Sequence, residues 1–131
     1  EGAEIQPEAM AVNGISMAEL ERAPSVVQAV EQFDCIFQPT IRRLFLCGWN
    51  VWFDQGFLKE LYRRAGRPWP FRSRMLDMQS IVTFHSGIVP QSQAETVKRF
   101  LCEEQSHRAL GDVQQVARLL KLFADKYSQS A

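Results

Sequence analysis

No uninterrupted apolar run in this sequence approaches the ~20 residues a helix needs to cross a bilayer, and no secretory signal pattern is present. Cysteine is scarce. Cys35, Cys47 and Cys102 are odd in number, widely spaced and set among apolar neighbours. That excludes zinc-ligand spacing and a disulfide framework, and reads as reduced core residues of a cytoplasmic protein. Net charge is lacking as well: 15 basic residues balance 15 acidic ones, so no global field draws the chain to nucleic acid. A role on nucleic acid then needs local basic residues, or a metal site that binds phosphate directly. Internal repeats and low-complexity tracts are also absent. What remains is a 131-residue chain, 46% apolar and 23% charged, the composition of one globular domain rather than of a disordered segment.

The most informative stretch runs from Cys47 to Leu58. The apolar run Leu44 to Cys47 meets a small polar break, then restarts in a helical pattern that carries one acid. A buried strand over Arg43–Trp49 followed by a helix beginning near Asp54 is the expected structure, with Asn50 or Asp54 near the junction. In open α/β sheets that junction, at the carboxyl end of a strand, is where ligands sit.

The other elements follow from spacing and punctuation. Glu4 to Ala9 reads as the exit of a strand into a proline-started turn, and Val12 to Ile15 as a turn. Pro24-Ser25 starts a helix carrying Val26, Val27, Val30, Phe33, Ile36 and Phe37, which Pro39 ends or perturbs. Gly66 stops the helix after Asp54, and Arg67 to Pro70 is a stiff loop. Met75 to Met78 is a short second strand, followed by a helix through Phe84 that Gly87 and Pro90 end. Another helix spans Glu95 to Cys102. The last runs from about Ala109 to Tyr127, with Leu110, Val113, Val116, Ala117, Leu120 and Phe123 spaced for one buried stripe. Helices alternating with short strands predict an α/β domain with a parallel element.

Few polar residues stand where chemistry is possible: Asp54 after the strand, Asp77 in the second strand, and His107 and Asp112 at the entrance of the last helix. Carboxylates gathered from different elements suit hard divalent cations, an imidazole can deprotonate water near neutral pH, and two metals can serve phosphoryl transfer. Each residue also has a structural reading. Asp54 can cap its helix, Asp77 can begin the next one, and Asp112 in a first turn is favoured by the helix dipole. His107 can be a loop histidine, and His85 has no acidic neighbour and no assigned role. Trp49, Trp52, Phe53 and Phe57 are most simply core, although an exposed Trp52 can stack a base. Arg63, Arg64, Arg67, Arg72 and Arg74 cluster in sequence, as a solvated helix end and loop or as phosphate contacts.

The order of these signals is more specific than any one of them. Gly48-Trp49-Asn50-Val51-Trp52-Phe53-Asp54 with Phe57-Leu58 resembles the second motif of the DnaQ-like, DEDDh family of 3′–5′ exonucleases, where a strand ends in Asn-x-x-Phe-Asp and a helix follows. Leu76-Asp77-Met78 is similar to the family's next strand, and His107-Arg108-Ala109-Leu110-Gly111-Asp112 to its third motif, His-x-Ala-x-x-Asp. Pro7-Glu8-Ala9 and Val12-Asn13-Gly14-Ile15 resemble the segment that follows the early strands. The resemblance covers nearly the whole chain in the family's order.

It implies an RNase H-like fold and metal-dependent removal of nucleotides from the 3′ end of DNA or RNA. Asp54 and Asp112 would help hold two Mg²⁺ or Mn²⁺ ions, and His107 would be the general base. Asn50 would support the site, with Trp52 and Phe53 beside it as substrate-binding positions and Phe53 and Phe57 packing it from behind. Asp77 would be a secondary acid. The family's first motif, Asp-x-Glu on a central strand, has no counterpart before Asp54. The expectation is therefore an amino-terminally incomplete domain over residues 1–131, inactive alone without those acids, with an exposed sheet edge open to strand exchange or homo-oligomers. The alternative is a non-catalytic exonuclease-like module that binds nucleic acid or a protein partner.

Overall fold

The structure, a computed structural model, describes residues 14–87 and 92–128. It is mostly helical, with one small sheet. In chain order come α1 (Met17–Glu21), α2 (Val26–Phe37), α3 (Pro39–Arg42), β1 (Leu46–Gly48), α4 (Val51–Arg64), β2 (Met75–Asp77), α5 (Met78–Ser86), α6 (Gln93–Leu101) and α7 (Ala109–Ser128). The two strands pair in parallel, Leu46 with Met75, Cys47 with Leu76 and Gly48 with Asp77. Parallel strands need a long crossover, which α4 supplies.

Local chemistry sets the helix starts. Ser16, Ser25 and Ser92 each cap a helix and complete a capping box with Glu19, Gln28 and Glu95. The first of these boxes starts α1, a helix that hydrophobic periodicity did not signal. Pro39 separates α2 from α3, as expected, because its ring suits a first helical position. Gly87 ends α5 in the left-handed conformation. The expected strand exit at Glu4–Ala9 and the stop at Pro90 lie outside the described residues, as does most of the Val12–Ile15 turn.

Two apolar clusters hold the elements together. Met78 and Val82 of α5, Val97 of α6, and Val116, Leu119 and Phe123 of α7 form the first, with Trp49 packed against it. Val30 of α2, Tyr62 of α4 and Phe71 form the second, joined by Leu44 and Leu46. Residues in and beside β1 therefore reach both. Each fully buried side chain contributes roughly 1.5–3 kcal/mol. The buried Tyr62 hydroxyl donates to Asp34 Oδ1 at 2.6 Å, and Asp34 also takes Arg67 Nη2 at 3.4 Å. Burial, and then this bond to a carboxylate, push the Tyr62 phenol upward from its ordinary pKa.

Several expectations are corrected. The strand is three residues long and partly exposed, not a buried run over Arg43–Trp49. All three cysteines are exposed rather than core. Trp52, Phe53 and Phe57 are exposed too, and only Trp49 of the four aromatics packs inward. The buried stripe of α7 is Gln115, Val116, Leu119 and Phe123, while Leu110, Val113 and Ala117 face out. The physical reason is common to these cases. The apolar patterns are present, but among the described residues nothing lies over these particular faces. No helix among the described residues is long and apolar enough to cross a membrane.

Candidate active site

The carboxyl end of β1 is where the candidate residues gather. After Gly48 the chain turns through Trp49 and Asn50 into α4. Asn50 occupies the N-cap position in the left-handed region (φ 51°), which asparagine tolerates better than most residues, and its side chain makes no capping bond. Asp54 is therefore not the cap of this helix, contrary to its structural reading, but an acid in the first turn.

Asp77 takes the capping role instead. Its Oδ2 accepts from Ser80 N at 3.0 Å and Ser80 Oγ at 2.6 Å, and its Oδ1 accepts from Val51 N at 3.3 Å. Because Asp77 pairs in register with Gly48, one carboxylate serves the starts of both α5 and α4. Asp77 thus caps α5, as the reading of it as a helix-starting residue anticipated, and its other oxygen takes a bond to Val51 N that this reading did not include.

Asp54 lies close against the strand end: a methyl group on Gly48 would sit 3.4 Å from its Oδ2. The side chain keeps an exposed edge, yet partial burial pushes its carboxyl above the ordinary aspartate range. The neighbouring Cys47 thiol is also pushed up, by burial first and by the Asp77 charge second.

Asp112 comes from the other side, in the first turn of α7. Its Oδ1 accepts from the backbone N–H of His107 at 3.2 Å. His107 stands exposed in the loop before the helix, with φ 54°. Gly111 makes this loop possible, since a Cβ there would collide with Ser106. Gln115, buried in α7, anchors the same loop. Its Oε1 accepts from Ser106 N at 3.3 Å, and its Nε2 donates to Glu104 O at 2.8 Å.

A groove of about 700 Å³ lies between these parts, and Asn50, Phe53, Asp54 and Asp112 all line it, together with Cys47 and Gly48. Trp52, His107 and Asp77 are not among its walls. Of the residues singled out from the sequence, the fold thus gathers four in one groove, ties His107 to it through the backbone and uses Asp77 structurally. Sequence reasoning missed Gln93, which lines the groove and donates Nε2 to Asp112 O at 3.4 Å. It also missed Gln115 and Gly111. A polar residue inside an apolar stripe was the available signal for Gln115; nothing in sequence separates Gly111 from an ordinary helical glycine.

Chemically, the groove offers two carboxylates from different elements, the oxygen donors that hard cations take. Among the described residues no three of His, Cys, Asp and Glu come together as a metal-binding group. Comparison with known proteins gives a family: the model described as RNase_T: Exonuclease matches residues 1–120. No curated protein matches the chain.

Proposed function

Because the chain belongs to this exonuclease family, we propose that its α/β scaffold is of the RNase H-like type and that the groove at the end of β1 is built for metal-dependent hydrolysis at nucleic-acid 3′ ends. The observation that carries this is the meeting of Asp54 and Asp112, from two separate helices, in one groove at the carboxyl end of a strand. Asp54's raised pKa supports the reading, since a carboxylate whose charge partial burial disfavours gains from a neighbouring cation.

The donors fit a divalent cation in kind but not in number. Two carboxylates among the described residues do not complete a centre for two Mg²⁺ or Mn²⁺ ions, and no Asp-x-Glu precedes Asp54 in the sequence to supply the rest. When bound, such ions would stabilise the attacking and leaving oxygens. The chain's own residues do the rest. Asp54 and Asp112 present the ligand edge, Asn50 and Phe53 border the substrate's place, and His107, held to Asp112 through its backbone N–H, would be the residue to take a proton from water. In this reading the chain alone does not hydrolyse nucleic acid.

Incubation of a 3′-labelled single strand with Mn²⁺ tests this. The chain alone should leave the label in place. Hydrolysis should begin when a strand bearing Asp-x-Glu is supplied, and Asp112→Ala should abolish it. Equal release by wild type and Asp112→Ala would overturn the proposal.

A second reading, a non-catalytic module that binds nucleic acid or a protein, is favoured by the incomplete ligand set among the described residues. It predicts binding without hydrolysis even when the acids are supplied. In either reading β1 pairs only with β2 among the described strands. We propose that its other edge supports strand exchange or a homo-oligomer, which light scattering after gel filtration would detect.

A further inference from the structure

Five arginines lie close in sequence between residues 63 and 74, and the fold commits three of them. Arg63 and Arg64 both hold Glu60, at 2.7 and 2.8 Å, and Arg67 reaches Asp34. Arg72 and Arg74 are left over, and topology brings two more to them. Arg72 N donates to Leu44 O at 3.0 Å, just ahead of the register that begins with Leu46 and Met75. Arg42, Arg43, Arg72 and Arg74 all fall within two residues of that one bond. All four are exposed, and among the described residues none of the ion pairs engages them. The turn that presents the first pair is fixed by Arg42 N to Gln38 O at 2.9 Å and Leu44 N to Pro39 O at 3.0 Å.

In a chain whose total charge is zero, four like charges collected at one end of a sheet make a local positive surface that the bulk composition hides. We propose that this cluster, at the amino ends of β1 and β2, is a contact surface for the backbone of a single-stranded nucleic acid. It lies at the amino end of the sheet, whereas Asn50 and Asp54 line the groove beyond the carboxyl end of β1. Guanidinium forks match phosphate oxygens in pairs, and at an exposed site they lose little hydration on binding. Phe45 stands among the arginines with 54% of its surface exposed, a face on which a base can stack. That aromatic is what favours a nucleic acid over an acidic peptide. Since β1 is three residues long, the cluster stands roughly 10 Å along the strand from its carboxyl end, within reach of a strand bound in the groove. The identity of the polyanion rests on the exonuclease reading of the groove; the positive surface does not.

The test is the salt dependence of binding of a labelled single-stranded oligonucleotide, followed by anisotropy in EDTA so that hydrolysis plays no part. Replacing all four arginines by glutamine should lower the slope of log affinity against log salt by about 3, at ≈ 0.7 for each phosphate no longer neutralised. Four lysines should keep the slope, Arg63→Gln with Arg64→Gln should not move it, and Phe45→Ala should weaken binding without changing it. Should the fourfold variant fail to fold, the two glutamine pairs at 42/43 and 72/74 should each remove about half. An unchanged slope in the glutamine variants would overturn the proposal. So would tighter binding of polyglutamate than of the oligonucleotide. Failure of the exonuclease reading shows separately, as salt-dependent binding that persists while supplied acids never yield 3′ hydrolysis.

Discussion

Helix α4 is apolar on two sides and covered on one. Tyr62 keeps 2% of its surface exposed, whereas Phe53 and Phe57 keep 65% and 67%. The covered side meets Val30 of α2 and Phe71, with the Tyr62 ring edge-on to Phe71 at 6.2 Å. On the open side the Phe53 and Phe57 rings meet edge to face, 4.9 Å apart, beside the groove that holds Asp54 and Asp112. The two sides differ in what the topology brings over them, not in residue type. The candidate site therefore lies beside an uncovered face of α4, and its Asp54 is accessible from that side.

That difference can be broken by substitution. Tyr62→Ala should cost about 3–5 kcal/mol in urea unfolding, the range for emptying a large aromatic site. Phe57→Ala should stay within about 0.5 kcal/mol, as exposed substitutions do. Equal costs would show that the open side is covered in solution.

A smaller effect is expected where the site's loop meets its helix. Gly111→Ala would place a methyl 2.5 Å from Ser106 Cβ, closer than carbon atoms approach. The loop before α7 must then move, at about 1–3 kcal/mol of overpacking, although alanine is the better helix former. Ser106→Gly in the same chain should recover most of the loss in a thermal melt.

The smallest effect concerns charge on the groove wall. Partial burial raises Asp54's pKa, so in a window above the unfolded value near 3.8 the folded chain holds a proton that the unfolded chain has released. Stability is thus full below that value and falls as pH rises toward the folded pKa. Asp54→Asn should match wild type at low pH and be the more stable at neutral pH. Added Mn²⁺ should narrow that advantage by favouring the wild-type carboxylate. An Asn variant less stable at neutral pH without metal would contradict the assigned burial.

Sequence made some of this legible and hid the rest for identifiable reasons. The two strands, the helix after Gly48 and the long last helix follow from local periodicity and punctuation, and local signals suffice for them. Burial did not follow. Leu110 and Val113 have the spacing of a core stripe, yet stand 71% and 64% exposed, because a helix's own pattern cannot report whether a neighbour covers it. Likewise the role of Asp77 depends on its register beside Gly48, a non-local fact that supplies its second bond, to Val51 N. Asp54 and Asp112 stand 58 positions apart, and only their motif order suggested one site before the fold placed both on one groove. Sequence offered Arg72 and Arg74 as phosphate contacts, but not that Arg42 and Arg43 join them, since it is the Arg72 N to Leu44 O bond that brings the two stretches of chain together.

The most direct test of the central claim, that Asp54 and Asp112 form one cation-facing edge, is Mn²⁺-induced broadening of backbone amide resonances. Selective broadening is expected around Gly48, Asp54 and Asp112, and it should vanish in both Asp54→Asn and Asp112→Ala. Broadening that survives either substitution, or that centres elsewhere, would contradict it.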